Sequence, residues 1–236
     1  MYKVILIFYE YAKRFIKCLL GKDVFIRKQI NLPVECMGGR NTSWYITSKD
    51  ISSASIIYSF GLGEDVTFET ELIEKYGVTV HAFDPTPKSI NFVNALNLPN
   101  QFILHQIGIS DHDGFANFFP PENPLWVSHS IIPRSKSIET EIIKVPVSKL
   151  STIMNNLGHK KIDLLKMDIE GAEYCVIEDL INTNLSISQL CLEFHHRWPE
   201  IGVEKTKKAV SSLNDYGFQI FYVSPNGLEY SFIKSK

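Results

Sequence analysis

Closely spaced cysteines are missing from this sequence: Cys18, Cys36, Cys175 and Cys191 stand far apart and no C-x-x-C pair occurs. That spacing suggests neither a zinc site nor a disulfide framework, and it makes a reducing cytoplasm the expected compartment. Long apolar runs are missing too. A membrane-spanning helix needs roughly 20 apolar residues, and the short run from Val4 to Tyr9 gives way to Glu10, Lys13, Arg14 and Lys17 without the cleavage site of a signal peptide. Charge of one sign is scarce, with 24 Lys and Arg against 26 Asp and Glu. General nucleic-acid binders are strongly basic, so no nucleic-acid partner is expected. Glycine (13) and proline (11) are ordinary in number, which excludes collagen-like and low-complexity chains. No G-x-x-x-x-G-K-[ST] phosphate loop occurs.

What is present is 44% hydrophobic residues over 236 positions, enough to bury a sizeable core in one domain or two. Residues Ile5, Phe8, Tyr9, Ala12, Phe15, Ile16 and Leu19 recur every three or four positions with Lys and Arg between them. This predicts an amphipathic helix in an N-terminal extension, residues 1–35, that either packs on the body or contacts a membrane surface through residues 1–20. From residue 36 to 236 the chain reads as one domain of alternating strands and helices. Strands are predicted at Ser55–Phe60, Val78–Phe83, Phe102–Ile109, Ile162–Met167 and Gln189–Phe194, each a compact apolar run. Helices follow several of them, including one from Thr86-Pro87 to Leu96, one from Glu170 to Leu180, and Pro199–Tyr216. Phe115–Phe119 and Ile142–Val147 flank a long polar loop that suits a substrate-side insertion. Phe218–Val223 and Leu228–Ile233 meet at Pro225-Asn226-Gly227, a hairpin signal that adds antiparallel edge strands. The fold class is therefore α/β, with a mostly parallel central sheet and a C-terminal antiparallel hairpin.

In such a sheet, ligands bind at the carboxyl ends of the strands. The first strand ends in Phe60-Gly61-Leu62-Gly63-Glu64-Asp65-Val66, and Asp84 ends the next. Two glycines let the backbone approach a ligand, and an acid some twenty residues on suits ribose hydroxyls. The third glycine of a dinucleotide fingerprint is replaced by Val66. Glu64 and Asp65 would repel a pyrophosphate, but they would attract a phosphate-free cation such as S-adenosylmethionine.

The blocks SIIYSFGLGEDVTFETELIEKYG, VHAFDPTPKS, IDLLKMDIEGAEYCVI and QLCLEFHH, in this order, resemble the FkbM family of S-adenosylmethionine-dependent methyltransferases. The resemblance implies a Rossmann-like class I methyltransferase fold and methyl transfer to oxygen, with sugars and polyketide-type natural products as acceptors. It also implies that Gly61 and Gly63 back the methionine part of the cofactor, that Glu64 and Asp65 reach its ammonium, and that Asp84 holds the ribose with Pro85 shaping the turn. Gly108, Ile109 and Ser110 would line the adenine. The chain departs from the commoner D-x-G-A-N-x-G loop at Ser59 to Asp65.

Asp168 ends an apolar strand, where a carboxylate is costly without a partner, and is expected to bind the cofactor ammonium or the acceptor. Glu170 joins it as a candidate, although Glu170 and Glu173 also suit the start of a helix electrostatically. An unactivated hydroxyl needs its proton removed. His195 and His196 follow the fifth strand on opposite faces; His195 is the expected base and His196 a candidate acceptor contact. The spacing of Asp168, Glu170 and a histidine is not diagnostic of a metal, so no metal is assigned. Trp126 and His129, in the long loop, are the expected acceptor contacts. The rival readings are an NAD(P)-dependent sugar oxidoreductase and a catalytically silent binding module of the same fold.

Overall fold

Apolar runs too short for helices become strands buried on both faces. In a computed structural model the chain is described over residues 2–39, 43–121, 129–133 and 142–235. It opens with α1 (Tyr2–Leu19), β1 (Glu35–Met37) and β2 (Trp44–Ile46). Then come β3 (Ile56–Phe60), α2 (Thr67–Tyr76), β4 (Thr79–Phe83), α3 (Pro87–Asn94), β5 (Phe102–His105), β6 (Gly108–Ile109) and β7 (Gly114–Phe118). The remainder is β8 (Ile143–Ser148), α4 (Leu150–Leu157), β9 (Ile162–Met167), α5 (Glu173–Asn182), β10 (Ile187–Glu193), α6 (Gly202–Asp215), β11 (Phe218–Val223) and β12 (Glu229–Lys234). Loop residues Pro120 and Pro121 border the stretch that holds Trp126, which lies outside the described residues.

Seven strands form the central sheet in the order β11-β12-β10-β9-β3-β4-β5. From β10 to β5 all neighbours are parallel, and β12 runs antiparallel to both β10 and β11. The chain steps outward from β3 to β5, then returns to lay β9 on the other side of β3. Strand order therefore reverses between β3 and β9, and a crevice opens above their carboxyl ends. Side chains alternate across the sheet. Tyr58, Phe60, Phe83, Leu165 and Met167 pack with Val176, Leu180 and Leu213 of α5 and α6. Ile57, Val80 and Leu164 face Phe68 and Leu72 of α2, with Trp44 and Ile46 of β2.

Four expectations are corrected. The closing hairpin is real, but only β11 is an edge; β12 is inserted between β10 and β11. The third predicted strand divides, β5 joining the main sheet and β6 joining a second sheet, β6-β8-β7. The helix expected from Glu170 begins at Glu173, because Glu170 (φ 51°) and Gly171 (φ 98°) take left-handed backbone that a right-handed helix cannot contain. The last helix starts at Gly202 rather than at Pro199.

The N-terminal helix is fastened by a side chain opposite its apolar face. Arg14, 3% exposed, donates to the carbonyls of Val24 (3.0 Å) and Ser224 (3.5 Å) and to the Tyr230 hydroxyl (3.2 Å). Phe8 (75%), Phe15 (60%) and Leu19 (73%) stay exposed, with Ile16 and Leu20 beside them. Among the described residues no helix is long and apolar enough to cross a membrane.

A histidine cluster lies under the sheet. His81 Nδ1 is 2.9 Å from His105 Nε2, and the Tyr58 hydroxyl is 2.8 Å from His159 Nδ1. Burial pushes His81 down from 6.5 to about 4, reinforced by His105 and His159, and also lowers His105. At His81 the unfolded chain takes up a proton near pH 6.5 while the folded chain refuses it until near pH 4. The stability His81 contributes is therefore complete above pH 6.5 and is lost as pH falls towards 4, and His105 acts in the same direction. Urea midpoints measured across that window should drop for the wild type and drop less for His81→Phe.

Candidate active site

The crevice at the strand-order reversal is built on a backbone-to-backbone contact. Gly61 leaves β3 at φ 79°, and a Cβ there would collide with the Asp168 carbonyl. With no side chain in the way, Asp168 N–H donates to the Phe60 carbonyl (3.2 Å) and Gly61 N–H to the Phe83 carbonyl (3.0 Å). The ends of β3, β4 and β9 are thus held together, and the loop of Gly61, Leu62, Gly63, Glu64 and Asp65 passes along a cleft of about 200 Å³. Phe83, Asp84, Pro85, Gly108, Ile109, Phe118, His129, Asp168, Ile169 and Glu170 complete much of its wall.

Asp84 fastens this loop. Its Oδ2 accepts from the Leu62 (3.0 Å) and Gly63 (3.3 Å) amides, and its Oδ1 accepts from the Thr86 amide (2.9 Å) and hydroxyl (2.6 Å). Thr86 precedes Pro87 at the start of α3 but spends its hydroxyl on Asp84 rather than on capping the helix. Glu64 lies 3.5 Å from Lys88, and Asp65 accepts from the Thr67 amide (2.9 Å) and hydroxyl (2.7 Å) at the start of α2. Ser110 is buried with its hydroxyl on Asp111 and His112 and does not line the cleft, whereas Gly108 and Ile109 do.

On the far side of Gly61 a smaller cavity of about 70 Å³ shares Gly61, Leu62, Asp65 and Asp168 with the first. Trp44, Phe68, Glu69, Lys166, Glu193 and Glu229 line it. Lys166, inside the wholly buried strand β9, donates to the Phe60 carbonyl (3.1 Å) and to that of Gly61, and lies 5.2 Å from the centre of the Trp44 ring. The segment just after β2 is held by Gln189, which bonds both backbone groups of Thr47 (2.8 and 3.1 Å). Glu69 accepts from Ser59 Oγ (2.5 Å); burial raises its carboxyl, against the pull of Lys166 and Ser59.

The D-I-E-G-A-E turn supplies the acids. Gly171 packs where a Cβ would fall 2.8 Å from Ile132 and 3.3 Å from Trp198, and Ser130 Oγ donates to the Glu170 carbonyl (2.7 Å). Glu173, fully buried, accepts from the Ile169 and Gly171 amides (3.0 Å each), and its Oε1 lies 3.2 Å from His195 Nδ1. His195 Nε2 faces Glu170 Oε2 at 3.4 Å and Asp168 Oδ1 at 3.9 Å. Burial alone would lower the His195 pKa, but Glu173, Glu170 and Asp168 outweigh it and carry it up to about 10. Glu193 is pushed up, first by burial and then by Asp168. His196 is not brought to the cleft as an acceptor contact. Its Nε2 pairs with buried Asp23 (2.8 Å), which Arg197 also grips (2.5 Å).

The structure thus brings Gly61, Gly63, Glu64, Asp65, Asp84, Pro85, Gly108, Ile109, His129, Asp168 and Glu170 to one cleft and sets His195 against its acids. Sequence reasoning missed Lys166, Glu69, Glu193 and the place of Glu173 between two backbone amides and His195. A lysine following Leu164-Leu165 inside the predicted strand Ile162–Met167 was the available signal for the first.

A family model of the Methyltransferase FkbM domain matches residues 54–220, which hold the cleft and the five parallel strands β3, β4, β5, β9 and β10 of its sheet. The chain belongs to this family. Probable methyltransferase-like protein 24 of Homo sapiens is 31% identical over 156 residues, 65% of this chain and 36% of that protein, and its Rattus norvegicus counterpart gives the same identity and shares. The chain thus spans about a third of the length of the curated relatives it matches. Among solved structures, Methyltransferase FkbM from Methylobacillus flagellatus KT is 13% identical, with a TM-score of 0.46 covering 77% of this chain and 44% of that one. The Methanococcus jannaschii fibrillarin pre-rRNA processing protein is 14% identical, with a TM-score of 0.48 covering 78% and 68%.

Because Gly61 combines a left-handed backbone with contact against Asp168, Gly61→Ala should cost about 2 kcal/mol or more and pry β3 from β9. Urea unfolding measures the loss. A stability equal to wild type would show that the contact is not tight.

Proposed function

We propose that this protein is an S-adenosylmethionine-dependent O-methyltransferase whose acceptor is a hydroxyl of a sugar, a glycan or a related natural product. The observation that carries the cofactor reading is the acid-walled glycine loop. Glu64, Asp65, Asp84, Asp168 and Glu170 all line the cleft, and none of its described lining residues is Lys or Arg. A dinucleotide pyrophosphate would meet like charge there, while an ammonium and a sulfonium meet opposite charge in a partly desolvated crevice. Gly61 and Gly63 bare the backbone to the methionine part, and Asp168, Glu64 and Asp65 face its ammonium. Asp84 meets the ribose with oxygens it shares with the loop amides. Gly108 and Ile109, with Pro85, shape the adenine end.

The cofactor brings a methyl group already activated on sulfur, so the chain's own task is to orient an acceptor oxygen and exclude water. The smaller cavity supports a polyhydroxylated acceptor. Aromatic Trp44 and Phe68 offer ring faces, and Glu69, Glu193, Glu229 and Lys166 offer hydrogen-bonding heads. Titration calorimetry on the whole chain should show binding of S-adenosylhomocysteine and none of NAD(H). The reverse result returns the oxidoreductase reading, and binding of neither returns the silent module. With S-adenosylmethionine and a panel of glycans, mass spectrometry should find a gain of one methyl on a hydroxyl-bearing acceptor.

We further propose that the exposed face of α1 rests on an anionic lipid surface. Phe8, Phe15, Ile16, Leu19 and Phe25 are exposed, and the cations Lys13, Lys22, Arg27 and Lys28 are exposed near them, a combination suited to the headgroup boundary. Co-sedimentation with phosphatidylserine vesicles should be lost in Phe15→Glu and weakened by salt. Equal sedimentation of both proteins overturns this contact.

A further inference from the structure

We propose that Asp168, Glu193 and His195 form a binding site for one hard divalent cation, of the Mg²⁺ or Mn²⁺ class, at the carboxyl ends of β9 and β10. One ligand atom from each of the three side chains lies within 4.8 Å of the other two. Around a small octahedral cation, neighbouring ligands are roughly 3 Å apart and opposite ones roughly 4 Å. The 3.9 Å between His195 Nε2 and Asp168 Oδ1 is already in that range.

Three further observations separate this cluster from an ordinary patch of surface acids. Asp168 Oδ1 is buried and finds no hydrogen-bond partner among the described residues, a costly condition that a cation removes. Neither Asp168 nor Glu193 has a Lys or Arg within ion-pair distance among the described residues; Lys166, which lines the same cavity, is turned to the Phe60 and Gly61 carbonyls. Most telling is the group behind the imidazole. His195 is 7% exposed, and fully buried Glu173 stands 3.2 Å from its Nδ1. Glu173 is itself immobilised by two backbone amides. Glu173 meets that nitrogen at ion-pair distance without the alignment of a hydrogen bond; a small turn of the ring lets Nδ1–H donate to it and leaves the other nitrogen as a lone-pair donor, the usual arrangement behind a metal-bound histidine. Here the free nitrogen is Nε2, and it points at Asp168 and Glu170.

Two carboxylates and one imidazole are a mostly oxygen donor set with open positions left for water or substrate, and the single nitrogen favours Mn²⁺ over Mg²⁺. Asp168 borders both cavities, so the open positions face the junction between them. The ion's use, though not its binding, rests on the methyltransferase reading above. Coordinated by the cation, an acceptor hydroxyl ionises more readily and gives its proton to water. Its oxygen then forms a bond to the methyl carbon as the carbon–sulfur bond breaks, releasing S-adenosylhomocysteine. No protein base is required, which suits a histidine that faces acids.

Titrating the chelator-stripped full chain with Mn²⁺, without cofactor, should show one bound ion per chain by loss of the free-ion electron paramagnetic resonance signal. Asp168→Asn and Glu193→Gln should each weaken binding at least tenfold. Glu173→Gln, which touches no ion, should weaken it by about ten- to a hundredfold at unchanged stoichiometry. Mn²⁺ should also raise the melting temperature of the wild type and not that of Glu193→Gln, which confirms that the variant is folded while it reads the site. Absence of Mn²⁺ binding at millimolar concentration overturns the proposal, as does an affinity unchanged in both Asp168→Asn and Glu193→Gln. Binding of S-adenosylhomocysteine without Mn²⁺ removes the metal site alone; binding of Mn²⁺ without S-adenosylhomocysteine removes the methyltransferase reading alone.

Discussion

The contact on which the rest of this protein depends is the touching of two backbones, Gly61 against Asp168. Parallel strands on either side of a reversal point diverge above the sheet, and what keeps their loops close is the absence of a side chain at one position. With that space free, β3 and β9 remain hydrogen-bonded to their last residues. The Lys166 ammonium closes the seam from below by gathering the carbonyls of Phe60 and Gly61. The same seam divides the crevice in two, so that Asp168 serves both halves. A methyl donor on one side and an acceptor on the other would meet across a single carboxylate.

Around that seam the chain concentrates negative charge. Asp168, Glu170, Glu173 and Glu193 surround one imidazole, and their mutual repulsion is a standing cost in the free protein. Burial makes it larger, because water no longer screens the charges. Such clusters are tolerated where a positive ligand relieves them, and the relief is added to the ligand's affinity. The backbone shares in the strain: Glu170 adopts a left-handed conformation unusual for a residue with a side chain, held by Ser130 and by the packing of Gly171.

Much of this was legible in the sequence, for a definite reason. Parallel strands buried on both faces must be apolar runs, and SIIYSF, VTVHAF and IDLLKM could hardly be anything else. The glycine loop, Asp84 and Asp168 followed from the chemistry of strand ends. What escaped notice depended on distant neighbours. The two-residue strand β6 is defined only by pairing with β8, across a segment of more than thirty residues. The start of α5 shifted because two left-handed residues replaced a first helical turn. The acid neighbours of His195, namely Asp168, Glu170 and Glu173, come from the turn after another strand. His196 looked like an acceptor contact until Asp23, from far upstream, was found against it.

The position of β12 bears on the order in which the chain can fold. Its residues enter between β10 and β11, so the sheet has a vacant interior slot until β12 has been synthesised. On a ribosome, the half of the sheet from β5 to β10 can assemble first, since its strands pair with neighbours already made. The other edge must wait, with the apolar faces of β10 and β11 exposed. Arg14 of α1 then docks on this late hairpin, through the Ser224 carbonyl and the Tyr230 hydroxyl. Helix α1, which precedes every strand of the sheet in the chain, is thus among the last of these elements to find its place, and until then the open sheet edge is available to a chaperone.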